Sequence, residues 1–212
     1  MEKVQSKLTS QGQVSVPASV RNFLHLIPGS VLVWTQEGER VVVDSAKRHS
    51  TDEVHQALFS DGPPGTGAAK TWANSSKVFA SACKSVMLAI DTNVLVRLLA
   101  RDDARQALAA DQAVAKGSWI SQLVLAEAIG VLDAMYERSP KQLIAALDLL
   151  LVHEHLVLQD ADVVSAALAQ FRAKPALGFS DCLVLEIARK AGHLPLATFH
   201  KSLAKLTGAH KL

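Results

Sequence analysis

Between residues 4 and 47 apolar and polar positions alternate in short runs: Gln13-Val14-Ser15-Val16, Val31-Leu32-Val33-Trp34 and Val41-Val42-Val43. Gly12, Pro28-Gly29 and Glu37-Gly38-Glu39 stand between them as turn signals. A two-residue period bounded by such turns predicts a small β unit of hairpins. Ala18 to Leu26 predicts one short helix, entered through Pro17, whose missing N–H is no loss at a helix start.

The texture changes twice further along. Ser60-Asp61-Gly62-Pro63-Pro64-Gly65-Thr66-Gly67 has the composition of a linker. Thr71 to Ser76 carries neither helical nor strand periodicity, which predicts poor order there. From Met87 strands and helices alternate. Strands are predicted at Met87–Ile90, Ser118–Ser121, His155–Leu158 and Leu196–Phe199. Helices are predicted at Thr92–Leu99, Ala104–Ala115, Leu123–Tyr136, Pro140–Leu151, Ala161–Ala173 with Asp160 as N-cap, Ser180–Ala191 and Lys201–Leu206. This alternation predicts an α/β fold: a three-layer domain around a parallel sheet. The chain therefore divides at 1–47, 48–86 and 87–212.

Composition narrows the function classes. With 49% hydrophobic and 20% charged residues over 212 positions, the chain has ample material for a buried core. The net charge is +2, with 9 Lys+Arg against 7 Asp+Glu before Met87 and 13 against 13 after it. No polybasic tail advertises nucleic-acid binding. Cys83 and Cys182 are the only cysteines, far apart, which excludes a disulfide scaffold and a structural zinc site. The N-terminus lacks the apolar stretch of a signal peptide, and Leu143 to Leu158 is interrupted by Asp148, His153, Glu154 and His155. These features predict a cytoplasmic protein with no membrane partner.

Three acids stand out. Asp91 directly follows a predicted strand, where open parallel sheets place their ligand crevice. Glu127 sits within the apolar run Leu123-Val124-Leu125-Ala126-Glu127-Ala128-Ile129, and a bare carboxylate buried on such a face is costly without a partner or metal. Asp181 lies in the first turn of an apolar helix, after the possible cap Ser180. With no basic residue beside them in sequence, three such carboxylates brought together would repel unless a divalent cation sat between them. Hard oxygen donors without a His/Cys set favour Mg²⁺ or Mn²⁺ over zinc. Each acid also has a plainer reading: a helix cap for Asp181, a dipole-favoured helix-start acid for Asp91, a surface glutamate for Glu127.

The stretch Ala89-Ile90-Asp91-Thr92-Asn93-Val94-Leu95-Val96-Arg97-Leu98-Leu99 resembles the opening of PIN-domain proteins of the VapC toxin type. Leu123-Val124-Leu125-Ala126-Glu127, Gly178-Phe179-Ser180-Asp181-Cys182-Leu183 and Leu196-Ala197-Thr198-Phe199-His200-Lys201 resemble the second, third and fourth motifs, in order, from Met87 to about Gly208. The resemblance implies endonucleolytic RNA hydrolysis. Mg²⁺ or Mn²⁺ would be held by Asp91, Glu127 and Asp181, with Asn93 and Thr198 orienting ligands or water. His200 stands where that family normally has its fourth aspartate. The change removes a negative charge and implies weakened metal occupancy and reduced activity.

Lys7 to Pro17, followed by Val20-Arg21 and Ile27-Pro28-Gly29-Ser30, resembles the AbrB/SpoVT swapped-hairpin fold of VapB-type antitoxins. The resemblance implies a homodimer that contacts operator DNA through Lys7, Gln13 and Arg21, and Ser50 to Phe59 resembles the antitoxin helix that packs on its toxin. A basic residue often stands in that family where Gln11 stands here. Such antitoxins end in a basic tail, and Thr71 to Val86 has no arginine. Back-translating Lys70 to Lys84 and reading two bases on allows Asp-Leu-Gly-Glu-Leu-Lys-Gln-Gly-Ile-Arg-Lys-Arg-Met followed by stop. This is the expectation for adjacent antitoxin and toxin frames fused by a frameshift, and it leaves a separate VapB-type antitoxin as a further candidate partner. A haloacid-dehalogenase-like phosphatase wants a second aspartate where Asn93 stands, and a nucleotide-cofactor enzyme wants a glycine-rich loop after a strand.

Overall fold

The computed structural model describes residues 6–7, 14–24, 26, 32–38, 40–45, 49–64 and 87–212. Residues 71–76, where poor order is expected, the stretch 70–84 that carries the frameshift expectation, and Gln13 lie outside them. The chain divides into two compact units, Met1–Arg48 and His49–Leu212.

In the N-terminal unit, helix α1 (Ala18–Phe23) begins after Pro17 as expected and ends three residues before the predicted Leu26. Strands β1 (Leu32–Glu37) and β2 (Arg40–Ser45) form an antiparallel hairpin, with Glu37 opposite Arg40 and Gly38 at φ 61 in the tight connection. A positive φ there is inexpensive for glycine. Trp34, Val33 and Val41 are exposed on this hairpin.

The C-terminal unit begins with α2 (Thr51–Leu58), started by a capping box: Ser50 Oγ accepts from the Glu53 amide while Glu53 accepts from the Ser50 amide. Then follow β3 (Leu88–Ala89), α3 (Thr92–Ala100), α4 (Ala104–Val114), β4 (Ser118–Ile120) and α5 (Gln122–Ala134). The remainder is α6 (Pro140–Leu151), β5 (Leu156–Leu158), α7 (Ala161–Ala173), α8 (Phe179–Lys190), β6 (Leu196–Thr198) and β7 (Ala209–Lys211). Strands β3, β4 and β5 form a parallel sheet in that order, so the domain is a three-layer α/β fold. Strands β6 and β7 make a separate parallel pair. The second of these was not visible as a strand in the sequence, because Ala209-His210-Lys211 is too short and polar to alternate. The expected last helix shrinks to a 3₁₀ turn, Leu203–Lys205.

Local chemistry explains most boundaries. Pro140 opens α6 behind the Ser139 cap, whose hydroxyl accepts from the Gln142 amide. Asp160 does not act as the expected side-chain cap. Its backbone is left-handed (φ 47), no cap bond forms, and its carboxylate accepts from Lys190 Nζ at 2.8 Å. The core beneath these helices is aliphatic, with Leu95, Leu98, Leu125, Leu147, Leu150 and Leu185 almost fully buried.

Helix α2 belongs to this core. Val54 and Leu58 are fully buried, and α2 packs on α3 and α6. At its start, the His49 amide donates to the Val152 carbonyl (3.1 Å) and the His49 carbonyl accepts from Glu154 N–H (3.0 Å). His153, 6% exposed, sits at this seam. Its Nδ1 accepts from the backbone amides of His155 and Leu156, so Nε2 carries the proton and faces Thr51 Oγ1 at 3.2 Å. Burial, then the nearby His155 and His49, push this imidazole down to about 4, with Glu53 opposing.

A second buried polar cluster lies under α3. Arg97 Nη1 donates to both Asp102 oxygens (2.7 and 2.6 Å), Nε donates to Gln106, and Tyr136 hydroxyl donates to Asp102 at 2.7 Å. Burial opposes the charge on Arg97, yet Asp102 outweighs it and the guanidinium pKa rises. Burial and then Asp102 push the Tyr136 phenol up.

Two outcomes follow for stability. Asp102→Ala leaves the Arg97 charge buried without its carboxylate, and urea unfolding should show a loss of about 3–5 kcal/mol. An unchanged midpoint contradicts the pairing. For His153 the folded pKa lies below the ordinary 6.5. The stabilisation from its neutral ring is complete above pH 6.5 and is lost as pH falls toward 4, up to roughly 3 kcal/mol. His153→Gln should show a smaller stability difference between pH 7.5 and 4.5 than wild type; equal differences reject this account.

Candidate active site

The site is built where α3 leaves the sheet. Ile90 follows β3, and Asp91 takes extended backbone angles (φ −91, ψ 176) as the N-cap of α3. Its Oδ1 accepts from the Val94 amide at 2.8 Å. The plainer reading of Asp91 as a helix-start acid therefore holds, and it does not compete with a second use: one carboxylate oxygen meets the amide, and the helix dipole favours the charge. Thr92 and Asn93 follow in the first turn.

Glu127 approaches from α5. Thr92 Oγ1 donates to Glu127 Oε2 at 2.5 Å, tying the two helices together next to Asp91. Glu127 is not buried among its apolar neighbours as expected: it lies on an exposed face of α5. Spacing explains the difference. Leu125, Ala128, Ile129 and Leu132 form the buried face of α5, and Glu127 lies off it with Gly130, Val131 and Ala134. These residues and the Asp91–Arg97 side of α3 border one pocket of about 570 Å³, closed at its far end by Met135 and Tyr136.

Asp181 is the third residue of α8. Gly178, at φ 78, is the N-cap, so Asp181 is not the helix cap and Ser180 does not precede the helix as expected. Asp181 Oδ2 lies 2.9 Å from His200 Nδ1. Thr198 ends β6, and its hydroxyl oxygen accepts from the His200 amide at 3.0 Å, which sets the turn that presents the imidazole.

The expected site residues thus fall into two groups: Asp91, Asn93 and Glu127 around the pocket, and Asp181, Thr198 and His200, linked by the Asp181–His200 ion-pair contact and the Thr198–His200 hydrogen bond. Among the described residues, no set of three or more His, Cys, Asp or Glu closes around a point as a ready metal cage. The pocket still suits a hard divalent cation. Its acids are Asp91 and Glu127, no cysteine or histidine lines it, and Mg²⁺ commonly takes one or two carboxylates with water and substrate phosphate completing its shell. Thr92 was not among the sequence candidates. Its place beside Asp91 was visible, but its bond across 35 residues of chain was not.

Cys182, next to Asp181, is buried, and burial, followed by the Asp181 and Glu186 charges, pushes its thiol up to about 11. It is no nucleophile at neutral pH. In the N-terminal unit, Lys7 and Arg21 are exposed, Arg21 on α1. Among the described residues no helix is long and apolar enough to cross a membrane.

Comparison with curated proteins finds no match. The family model for the PIN domain matches residues 88–208, more than half of the chain and all of the strand–helix framework that carries both acidic groups. The chain belongs to the PIN-domain family, whose members are generally metal-dependent nucleases.

Proposed function

We propose that this chain is a magnesium-dependent endoribonuclease of the toxin–antitoxin type, fused to an antitoxin-like DNA-binding unit. The observation that carries the nuclease reading is the pair Asp91 and Glu127 on one pocket, joined through Thr92. Mg²⁺ or Mn²⁺ bound there would lower the pKa of a coordinated water and neutralise charge on the phosphate in its transition state. Asp91 and Glu127 hold that cation. Thr92 fixes the Glu127 carboxylate so that it need not reorganise, and Asn93 orients the attacking water or a phosphate oxygen from the first turn of α3. Asp181 lies outside the lining of this pocket, against His200 on α8's side, and is proposed as the third acid that a bound cation and RNA would draw on.

A second reading is a weakened or inactive nuclease within a DNA-binding, autoregulatory protein. His200 favours it: the imidazole occupies one Asp181 oxygen, which would otherwise be open to a cation. The exposed apolar hairpin residues Trp34, Val33 and Val41 support a homodimer of the N-terminal unit. Lys7, Gln13 and Arg21 are then its operator contacts, with lysine and arginine attracting phosphate.

Cleavage of RNA with Mg²⁺ should stop with EDTA and fall at least about a hundredfold in Asp91→Asn and in Glu127→Gln. Activity that survives both substitutions excludes the nuclease site as drawn. His200→Asp should raise magnesium-dependent cleavage severalfold. If it leaves the rate unchanged, the imidazole is not what limits the site.

A further inference from the structure

Charge is distributed unevenly over the C-terminal unit. Of the 13 acidic residues after Met87, every one lies between Asp91 and Glu186. Residues 187–212 hold Arg189, Lys190, Lys201, Lys205 and Lys211, with three histidines and no aspartate or glutamate. Pairing sharpens the contrast. Arg97, Arg101, Arg138, Arg172, Arg189 and Lys190 each meet a carboxylate. Among the described residues, Lys201, Lys205 and Lys211 meet none, and all three are exposed. Lys116, Lys141 and Lys174 are exposed too, but they stand singly, one at an end of each of α4, α6 and α7.

The fold gathers the three C-terminal lysines on one edge. Strands β6 and β7 pair with Thr198 opposite Lys211, and the Leu212 amide donates to the Thr198 carbonyl at 3.1 Å. The chain leaving β6 at Phe199 therefore runs beside the end of β7. The connection between the strands carries Lys201 and Lys205, and it is anchored by Leu203, 4% exposed, in the 3₁₀ turn. Phe199 is 79% exposed and, among the described residues, stacks on no other ring. His200, between Phe199 and Lys201, contacts Asp181, so this edge adjoins the acid of α8.

Unpaired lysines around an exposed ring suit a partner that offers phosphates and a flat π face together. A second copy of the chain suits the edge poorly, because a two-fold contact sets the same lysines against one another. An acidic peptide answers the charge and leaves the ring unused. We propose that the β6–β7 edge docks the RNA chain outside the cleavage site, with Lys201, Lys205 and Lys211 on its phosphates and Phe199 under one base. The inference rests on the nuclease reading and gives its substrate a second point of attachment, away from the pocket. Contacts made there are the same before and during the reaction, so they act on KM and leave kcat alone.

The full chain is tested as the triple variant Lys201→Gln/Lys205→Gln/Lys211→Gln and as Phe199→Ala. A control triple, Lys116→Gln/Lys141→Gln/Lys174→Gln, removes the same charge from exposed lysines elsewhere. Binding of a labelled single-stranded oligoribonucleotide is followed by fluorescence anisotropy from about 50 to about 200 mM salt, with Ca²⁺ in place of Mg²⁺. The first triple should lose at least about tenfold in affinity at the low end, and about 2 units of salt slope, as phosphate contacts to a single strand require. Phe199→Ala should lose about tenfold with the slope unchanged, and Phe199→Trp should keep the wild-type affinity. The control triple should bind as wild type does. Wild-type affinity and slope in the first triple, or an equal loss in the control, overturns the proposal. So does binding of polyglutamate that the first triple abolishes while RNA binding is untouched. A shift from dimer to monomer on sedimentation of Phe199→Ala, with RNA binding unchanged, overturns it as well. Where wild type cleaves RNA, the first triple should raise KM severalfold at constant kcat. Cleavage with unaltered variant binding removes the docking edge alone. The binding losses as stated, without cleavage by wild type in any Mg²⁺ condition, remove the nuclease reading alone.

Discussion

Two carboxylates that share one pocket repel each other, and a hydrogen-bond donor to each, or a cation between them, offsets that repulsion. Here each acid has its own donor. Asp91 accepts the Val94 amide at the positive end of α3, and Glu127 accepts the Thr92 hydroxyl. One turn of helix, Asp91 to Val94, thus orients both acids. The rest of the C-terminal unit serves to keep that turn at the end of β3 and beside α5.

The support below is of two kinds. Aliphatic packing of α3, α5 and α8 fixes where the helices run, and the buried Arg97–Asp102–Tyr136 cluster fixes the inner wall of the pocket. The cluster costs desolvation, but within it Arg97 is directed toward Asp102 and Gln106 rather than toward the acids at the pocket mouth. Helix α2 seals another side of the same core, although the family match begins only at residue 88. Its seam is held by backbone bonds at His49 and by a histidine that must stay neutral.

The architecture was legible because strand and helix periods alternate cleanly after Met87, and capping residues such as Ser139-Pro140 mark the helix starts. Asp91 was legible by its place after a strand. Glu127 was picked out for a partly mistaken reason: the apolar run around it suggested burial, but helical spacing turns it outward, away from Leu125 and Ala128. The link through Thr92 and the pairing of Asp181 with His200 join residues from separate helices and strands, and no local pattern encodes such distances. Asp160 misled because a favourable cap residue was given a left-handed backbone and a lysine partner instead. Strand β7 was hidden by brevity.

The central claim is that Asp91 and Glu127 bind one divalent cation together. Titrating the protein with Mn²⁺, and following the free aqua ion by electron paramagnetic resonance, addresses it without requiring any turnover. Wild type should take up the ion, and Glu127→Gln and the double variant Asp91→Asn/Glu127→Gln should each weaken uptake at least about tenfold. Equal Mn²⁺ binding by all three proteins would contradict the account.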